Sequence, residues 1–357
     1  MLPFLSNTKP IVGLDIGSGA IKAVELKPAG KQWRLHRFGM KPLAPEAVVN
    51  GQIKDMEGVT QAIRDLMAEK KFSTKRVATA VSGSAVIVKK IQLGIMPELE
   101  LEDQISLEAE EYIPFDIEEV HLDFQILGND GENMDVLLSA CKKDAVNNRL
   151  EALETAGLHA AVCDLDLFCI ANAYDQILKP QAPEEEETVA LVNVGAALTN
   201  LTILHNSDPL FTRDLMFGSA TLTKEIQQRY GLSSEEAERL KCVTAENSAD
   251  NPTIPRDLQT EAITPFLEQL MRQVGQSLDF FKGTNPQQPI NALLLSGGGG
   301  MTGGIVKLMT EHSGLQVRLV DPLLGLKAGR SARKSLEFQK MAPSFMVAVG
   351  LALRGAA

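Results

Sequence analysis

The chain has 357 residues, 44% of them hydrophobic, which is enough to bury the cores of two or three domains and excludes wholesale disorder. Its 46 acidic and 35 basic residues give a net charge of −11, which argues against nucleic acid as a partner and against direct adhesion to anionic lipid. The four cysteines lack the spacing of a metal site or a disulfide framework, which favours a reducing compartment. No stretch resembles a secretory signal or a membrane span, so we expect a cytoplasmic protein that reaches a membrane only through a partner.

Two stretches of the chain share one pattern at an offset of 178 residues. Residues 11–26 read IVGLDIGSGAIKAVEL, and residues 189–204 read VALVNVGAALTNLTIL. Each stretch is a β-branched apolar run, a turn of small residues and a second β run, which is the pattern of a hairpin. The offset is too long for a solenoid repeat, so it predicts two copies of one α/β domain.

The elements around these hairpins follow from periodicity and from capping residues. The first hairpin is followed by an amphipathic helix at 56–70, and residues 84–158 predict an inserted β-α-β-β-α subdomain with helices at 99–112 and 143–156. The second hairpin is followed by a short strand and by a helix near 219–230, which Gly231 ends.

These elements divide the chain into eight consecutive segments. In order they are a first domain at 1–83, the inserted subdomain at 84–158, a connecting helix at 159–180, a linker at 181–187, the start of a second domain at 188–213, a helical subdomain at 214–288, the rest of the second domain at 289–342, and a helix at 343–357 that returns to the first domain. The four successive glutamates before residue 188 indicate a solvated linker rather than a binding site.

The turn of the first hairpin is the first candidate binding site. Gly17, Ser18 and Gly19 allow backbone N–H groups to point at an anion without interference from a Cβ atom. Asp15 ends the first strand, where its carboxylate can hold a hydrated Mg²⁺ beside that anion, and Lys22 adds a positive charge. A D-x-G turn alone is a weak signal, and a plain hairpin turn is the alternative.

Two further turns strengthen the prediction of a phosphate site. Gly195 and Ala196 place a second N–H-rich turn opposite the first, so that two hairpins can grip one polyphosphate. Gly297, Gly298 and Gly299 follow a buried-strand run and precede a helix, which admits the close approach of a nucleotide. This run lacks the P-loop pattern and the downstream acidic residue of a dinucleotide fold, so both of those site types are disfavoured.

Together, the three turns resemble the phosphate-1, phosphate-2 and adenosine motifs of the actin-like ATPase superfamily. The resemblance implies an α/β, actin-like (ribonuclease H-like) duplicated two-lobe fold, with ATP and Mg²⁺ in the cleft and with Lys224 and Glu225 reaching the ribose and base. Asn193 stands where that superfamily usually has aspartate, and asparagine is a poorer general base that adds no charge to a metal site. We therefore expect ATP binding with slow or absent hydrolysis, and we assign no catalytic residue.

The inserted subdomain resembles one family of this superfamily. Residues 110–115 read EEYIPF, with EEV at 118–120 and LDF at 122–124, and they resemble the type IV pilus assembly protein PilM family, as do residues 14–22 and 144–158. In that family a groove between the first domain and the inserted subdomain takes the cytoplasmic N-terminal tail of PilN, an inner-membrane protein. The resemblance therefore implies a position at the inner membrane through PilN and a link to the pilus motor ATPases.

Two other classes of protein share duplicated hairpins of this kind. A small-molecule kinase of the actin-like fold needs an acidic base in the cleft for the acceptor hydroxyl, and no segment clearly supplies one. An FtsA-like membrane-tethered cytoskeletal protein carries a C-terminal amphipathic helix, whereas this sequence ends in LRGAA. Phosphoryl transfer to small hydroxyl acceptors would indicate the first class, and ATP-dependent filaments on lipid would indicate the second.

Overall fold

Two five-stranded sheets, one in each half of the chain, form the framework of the molecule. The computed structural model describes residues 10–30, 32–129, 131–181, 187–244, 255, 257–327 and 341–356. Both sheets are mixed, with an antiparallel meander on one side of the first strand and parallel strands on the other. The central strands are apolar on both faces because helices cover both sides of each sheet.

The first sheet is built around a fully buried central strand. Its spatial order is β10 (His159–Leu165), β6 (Arg76–Val81), β1 (Val12–Ile16), β2 (Ala20–Ala29) and β3 (Gln32–Pro42). A two-stranded hairpin, β4 (Val48–Val49) and β5 (Gln52–Ile53), precedes α1 (Met56–Lys70), which packs on this sheet. The side chain of Asp55 caps α1 by accepting a hydrogen bond from the Gly58 amide at 2.9 Å.

A small second unit is inserted after β6. It consists of β7 (Val86–Gly94), α2 (Glu98–Ala109), β8 (Val120–Asn129) and β9 (Asn133–Lys142), and its antiparallel sheet has the order β7-β9-β8. The helix α3 (Lys143–Thr155) then packs back on the first lobe, where Ala152 and Leu153 join the core beneath α1. The β-α-β-β-α order agrees with the sequence, whereas the exact boundary of the inserted subdomain stays a prediction.

The second sheet repeats the topology of the first. Its spatial order is β15 (Gln316–Leu319), β14 (Ala292–Ser296), β11 (Thr188–Val194), β12 (Thr199–His205) and β13 (Asp208–Leu215). Its helices are α5 (Ala220–Tyr230), α6 (Ser234–Thr244), α7 (Thr264–Thr284) and α8 (Ile305–Ser313). Gly231 ends α5 in the left-handed region at φ 64°, as the sequence predicted. The two sheets place β1-β2-β3 and β11-β12-β13 at equivalent positions, which confirms the duplication.

Two helices cross between the lobes and join their cores. They are α4 (Asp166–Ala173) and α9 (Met346–Leu353). A Cβ atom added to Gly350 would overlap the carbonyl oxygen of Cys169, so the helices cross with no space between their backbones. A Cβ atom at Gly13 of β1 would likewise overlap the carbonyl oxygen of Ala348. In the part of the chain that is described, no helix is both long and apolar enough to cross a membrane.

Candidate functional site

The turns of the two hairpins face each other across the cleft between the lobes. A Cβ atom added to Gly19 would lie 3.1 Å from the Cβ of Ala196. Both turns close in the same way, because the Gly17 amide donates to the Ala20 carbonyl at 3.2 Å and the Gly195 amide donates to a carbonyl at 2.9 Å. Ser18 lies half-buried between the two glycines of the first turn. The structure brings the predicted turns together, and their role in binding phosphate stays a prediction.

A charged pair in the first hairpin corresponds to a neutral pair in the second. Asp15 lies opposite Lys22, and the lysine Nζ donates to the aspartate Oδ2 at 2.8 Å. At the offset of 178 residues, Asn193 lies opposite Asn200, and its Nδ2 donates to the Asn200 Oδ1 at 3.0 Å. At these paired positions, only the first hairpin therefore presents charged side chains to a phosphate or a metal ion.

A chain of hydrogen bonds continues from Asn193 to the opposite lobe. The Ser296 hydroxyl donates to Asn193 at 3.1 Å, and the Asn200 amide donates to the Asp214 Oδ1 at 2.8 Å. The other oxygen of Asp214 accepts a hydrogen bond from the backbone N–H of Gly83, in the first lobe, at 2.7 Å. Burial raises the pKa of Asp214, and the two hydrogen bonds partly oppose this shift. Asp214 therefore links the two lobes through hydrogen bonds.

A second aspartate, Asp166 in the first turn of α4, lies near Asp15. Burial raises the pKa of Asp166 to about 7, the negative charge of Asp15 adds to the shift, and a hydrogen bond from Ser82 opposes it. The sequence indicated no acidic base for an acceptor hydroxyl, and Asp166 and Asp214 are two carboxylates near the hairpins that it did not predict. Neither residue lies in a recognisable motif, because each reaches the cleft only through the packing of α4 or β13.

The raised pKa of Asp166 predicts how stability changes with pH. The folded state keeps this proton up to about pH 7, whereas the unfolded chain releases it near 3.8, so the free energy of unfolding falls as pH rises between these values. We expect Asp166→Asn to be more stable than the wild type at pH 8 by at least about 1 kcal/mol, and close to it at pH 4.5. Urea unfolding at both pH values measures this difference. The exposed Asp208→Asn is the control, and an equal response of the two variants would refute the prediction.

The three glycines after β14 have different surroundings. Gly297 has φ 84°, and a Cβ atom there would overlap the Val194 carbonyl. A Cβ at Gly299 would lie 2.5 Å from a Val194 methyl carbon, whereas a Cβ at Gly298 would meet nothing within 4 Å. Gly297 and Gly299 therefore allow this loop to pack on β11, and Gly298 has space for an approaching ligand.

The predicted contacts to ribose and base lie on the surface of α5. Lys224 is exposed, and Glu225 lies 3.4 Å from Arg229 through its carboxylate. Arg229 also lies 3.4 Å from Glu261, so Glu225 takes part in a surface ion-pair cluster. The role of Lys224 and Glu225 toward a nucleotide stays a prediction.

A buried lysine near the same helix was not predicted. Lys241 is 8% exposed, donates to the Thr223 hydroxyl at 3.0 Å and pairs with Glu238 at 2.7 Å. The N-terminal end of α5 is tied to the second hairpin turn, because the Ser219 amide donates to the Gly195 carbonyl at 2.9 Å. Lys241 thus supports the start of α5 behind that turn. The amphipathic pattern of α6, the helix that carries Lys241, does not predict this position.

The donor set of the cleft fits a hydrated cation rather than a metal held by protein alone. Among the described residues, no group of three or more His, Cys, Asp and Glu side chains is placed to hold a metal ion. Asp15 and Asp166 are close enough to affect each other electrostatically, and Asp15 lies in β1, which leads into the first N–H-rich turn. Mg²⁺ in proteins commonly keeps several waters and binds one or two carboxylates together with substrate phosphates.

Solved structures with this architecture belong to the actin-like class. MreB5 of Spiroplasma citri bound to ADP is 13% identical with a TM-score of 0.51, covering 96% of this chain and 95% of that chain. The ethanolamine utilization protein EutJ from Carboxydothermus hydrogenoformans is 15% identical with a TM-score of 0.56, covering 97% and 89%. These likenesses confirm the duplicated, actin-like two-lobe α/β fold.

The inserted subdomain and the whole-chain comparison then define the family. A family model described as type IV pilus assembly protein PilM matches residues 13–356. A chain in a solved PilM-PilN type IV pilus biogenesis complex is 31% identical with a TM-score of 0.84, covering 97% of this chain and 98% of that chain. The chain belongs to the type IV pilus assembly protein PilM family, as the EEYIPF segment predicted.

Cell division protein FtsA is a more distant relative. The protein from Bacillus subtilis (strain 168) is 24% identical over 264 residues, which cover 66% of this chain and 58% of that FtsA. The Enterococcus hirae protein is also 24% identical, over 361 residues that cover 89% and 79%. The chain therefore spans little more than half of the Bacillus subtilis relative.

Proposed function

We propose that this member of the PilM family binds ATP with Mg²⁺ in the cleft between its lobes. The opposition of the Gly19 and Ala196 turns carries this proposal, because two sets of backbone N–H groups can hold one polyphosphate from opposite sides. Lys22 supplies a positive charge beside the first turn, where it pairs with Asp15 at 2.8 Å, and in this proposal Asp15 holds the cation through water. ATP bound in this way would fasten the two lobes to each other.

Hydrolysis of that ATP is proposed to be slow or absent. The neutral Asn193–Asn200 pair stands where a second carboxylate would activate water, and both amides are already engaged in hydrogen bonds. Titration calorimetry with Mg-ATP tests binding, which Asp15→Ala should weaken. Rapid multiple-turnover phosphate release that Asp15→Ala abolishes would contradict the proposal of slow hydrolysis while supporting the site.

The cytoplasmic N-terminal tail of PilN is the proposed protein partner. The likeness to a chain of the PilM-PilN complex, at 31% identity over nearly the whole chain, supports this partner. Two features at the junction of the first lobe and the inserted sheet suit an extended peptide. First, β10 is an edge strand that pairs only with β6 among the described strands, so one backbone edge is open.

The second feature is a buried arginine on α3. Arg149 is 2% exposed, and its Nε and Nη1 have no hydrogen-bond partner in the described structure. Its charge acts on both Cys141 of β9 and Cys163 of β10, which places it between the inserted sheet and the first lobe. Unsatisfied buried donors are costly, and a peptide oxygen would remove that cost if the inserted sheet and the first lobe moved apart to admit it. Through PilN the chain would lie at the inner membrane and link that protein to the pilus motor ATPases.

A synthetic PilN tail should stabilise the chain by mass action. At a peptide concentration of one hundred times Kd, the gain is about 2.7 kcal/mol, which thermal unfolding detects as a higher melting temperature. A peptide of scrambled sequence is the control. We expect Arg149→Met to reduce the shift. An unchanged melting temperature at saturating tail peptide would refute the groove.

A further inference from the structure

The negative charge of the chain is concentrated in the inserted subdomain. Residues 91–129 contain eleven of the 46 acidic residues and none of the 35 basic ones. Subtracting eleven from 46 leaves 35 acidic residues elsewhere, which equals the number of basic residues. The net charge of −11 is therefore the charge of this one segment, and the rest of the molecule is balanced.

The outer side of α2 in this segment is apolar as well as acidic. Leu99 is 73% exposed and Leu107 is 69% exposed, whereas Leu101 and Ile105 on the opposite side of the helix are buried against the inserted sheet. Ile95, just before the helix, is 53% exposed. The helix already contributes one apolar side to its own core, so these three exposed side chains are not needed for folding.

Three carboxylates surround the exposed leucines. At 100° per residue, Asp103 falls between Leu99 and Leu107, and Glu100 and Glu110 fall on the same side of the helix. We call these five residues the α2 face.

The carboxylates of the α2 face are not neutralised within the chain. Among the residues described, no lysine or arginine forms an ion pair with any of the three, and Glu100 accepts a hydrogen bond only from the neutral amide of Gln104, at 3.2 Å. Exposed carboxylates elsewhere do have cations, as in the pairs of Glu69 with Lys41 at 2.7 Å and of Glu235 with Arg239 at 3.3 Å. The α2 face thus offers uncompensated negative charge around apolar anchors.

We propose that the α2 face is a docking site for a basic amphipathic helix of another protein. A helix with an apolar stripe flanked by Lys and Arg matches both properties, because its apolar residues cover the leucines and its cations pair with the carboxylates. An anionic bilayer would be repelled by the same carboxylates, and a second copy would present an identical acidic surface. The inference goes beyond the nucleotide cleft and the tail groove and depends on neither.

A peptide of defined chemistry tests the docking site. An 18-residue helix of Leu and Lys, with Leu at positions i, i+3, i+4 and i+7, is titrated into the full chain at 50 mM and 300 mM salt. The double variant Leu99→Gln/Leu107→Gln should bind at least about tenfold more weakly than the wild type, and the higher salt should weaken wild-type binding. Leu324→Gln is the matched control, because Leu324 is 68% exposed in the second half of the chain. All the substituted leucines are exposed, so melting temperatures should stay unchanged.

Four outcomes would overturn the proposal. Equal binding of the peptide by the wild type and the double variant would show general charge attraction only. If a Leu/Glu peptide bound equally well, pairing between peptide cations and the carboxylates would not contribute to binding. Binding to phosphatidylglycerol vesicles that the double variant loses would identify a lipid surface instead, and self-association that the double variant loses would identify a second copy.

Discussion

Gly350→Ala is expected to lower the free energy of unfolding by about 3 kcal/mol or more. The added methyl group would overlap the carbonyl oxygen of Cys169, which is backbone and cannot rotate away. The helices α4 and α9 would have to separate, and they carry the core that both lobes share. Urea unfolding monitored by circular dichroism gives the change directly.

The same substitution at Gly275 is the matched control. Gly275 lies inside α7, and a Cβ atom there would meet nothing within 4 Å. Because alanine favours a helix interior over glycine by up to about 1 kcal/mol, Gly275→Ala should be neutral or stabilising. If Gly350→Ala were as stable as Gly275→Ala, the close crossing of α4 and α9 would be wrong.

Gly298→Leu is expected to weaken Mg-ATP binding at least about a hundredfold while the protein stays folded. A Cβ atom at Gly298 would meet nothing within 4 Å, so the chain leaves room for the start of a leucine side chain, which would occupy the volume proposed for the nucleotide. Calorimetric titration measures the affinity, and the melting temperature without nucleotide confirms that the fold is unaffected.

Gly94→Leu is the control for this second prediction. Gly94 ends β7 in the inserted subdomain, and a Cβ atom there also meets nothing within 4 Å. It lies on a different sheet from the cleft, so its substitution should leave ATP affinity unchanged. Unaltered affinity in Gly298→Leu would mean that the nucleotide, if bound, approaches another part of the molecule.

The repeated hairpins were predictable because their information is local. Each hairpin is a continuous apolar run, a turn of small residues and a second β run. The offset of 178 residues places Asp15 opposite Lys22 and Asn193 opposite Asn200 in equivalent registers. The order of strands in both sheets then follows from one duplicated unit. The family resemblance was also local, because it rested on short segments of the inserted subdomain.

The remaining parts of the cleft were not predictable because they depend on distant packing. Asp166 follows a strand and begins a helix, and its sequence neighbours give no hint that Asp15 lies nearby. Asp214 meets Gly83, which lies 131 residues away in the sequence. The glycine run after β14 was predicted as one site. No sequence pattern separates Gly298 from Gly297 and Gly299, which must lack a Cβ atom for the loop to pack on Val194.

The position of α9 has a consequence for biosynthesis. This helix is the last long element of the described chain, yet it packs against β1, where Gly13 approaches Ala348, and against α4. Translation delivers β1 and its hairpin before α9, so the side of that sheet which α9 covers stays exposed until the residues between them have been made. The core that the two lobes share is therefore completed only when α9 has been made, whereas the core beneath α1 and the helical core of the second lobe contain no residue of α9.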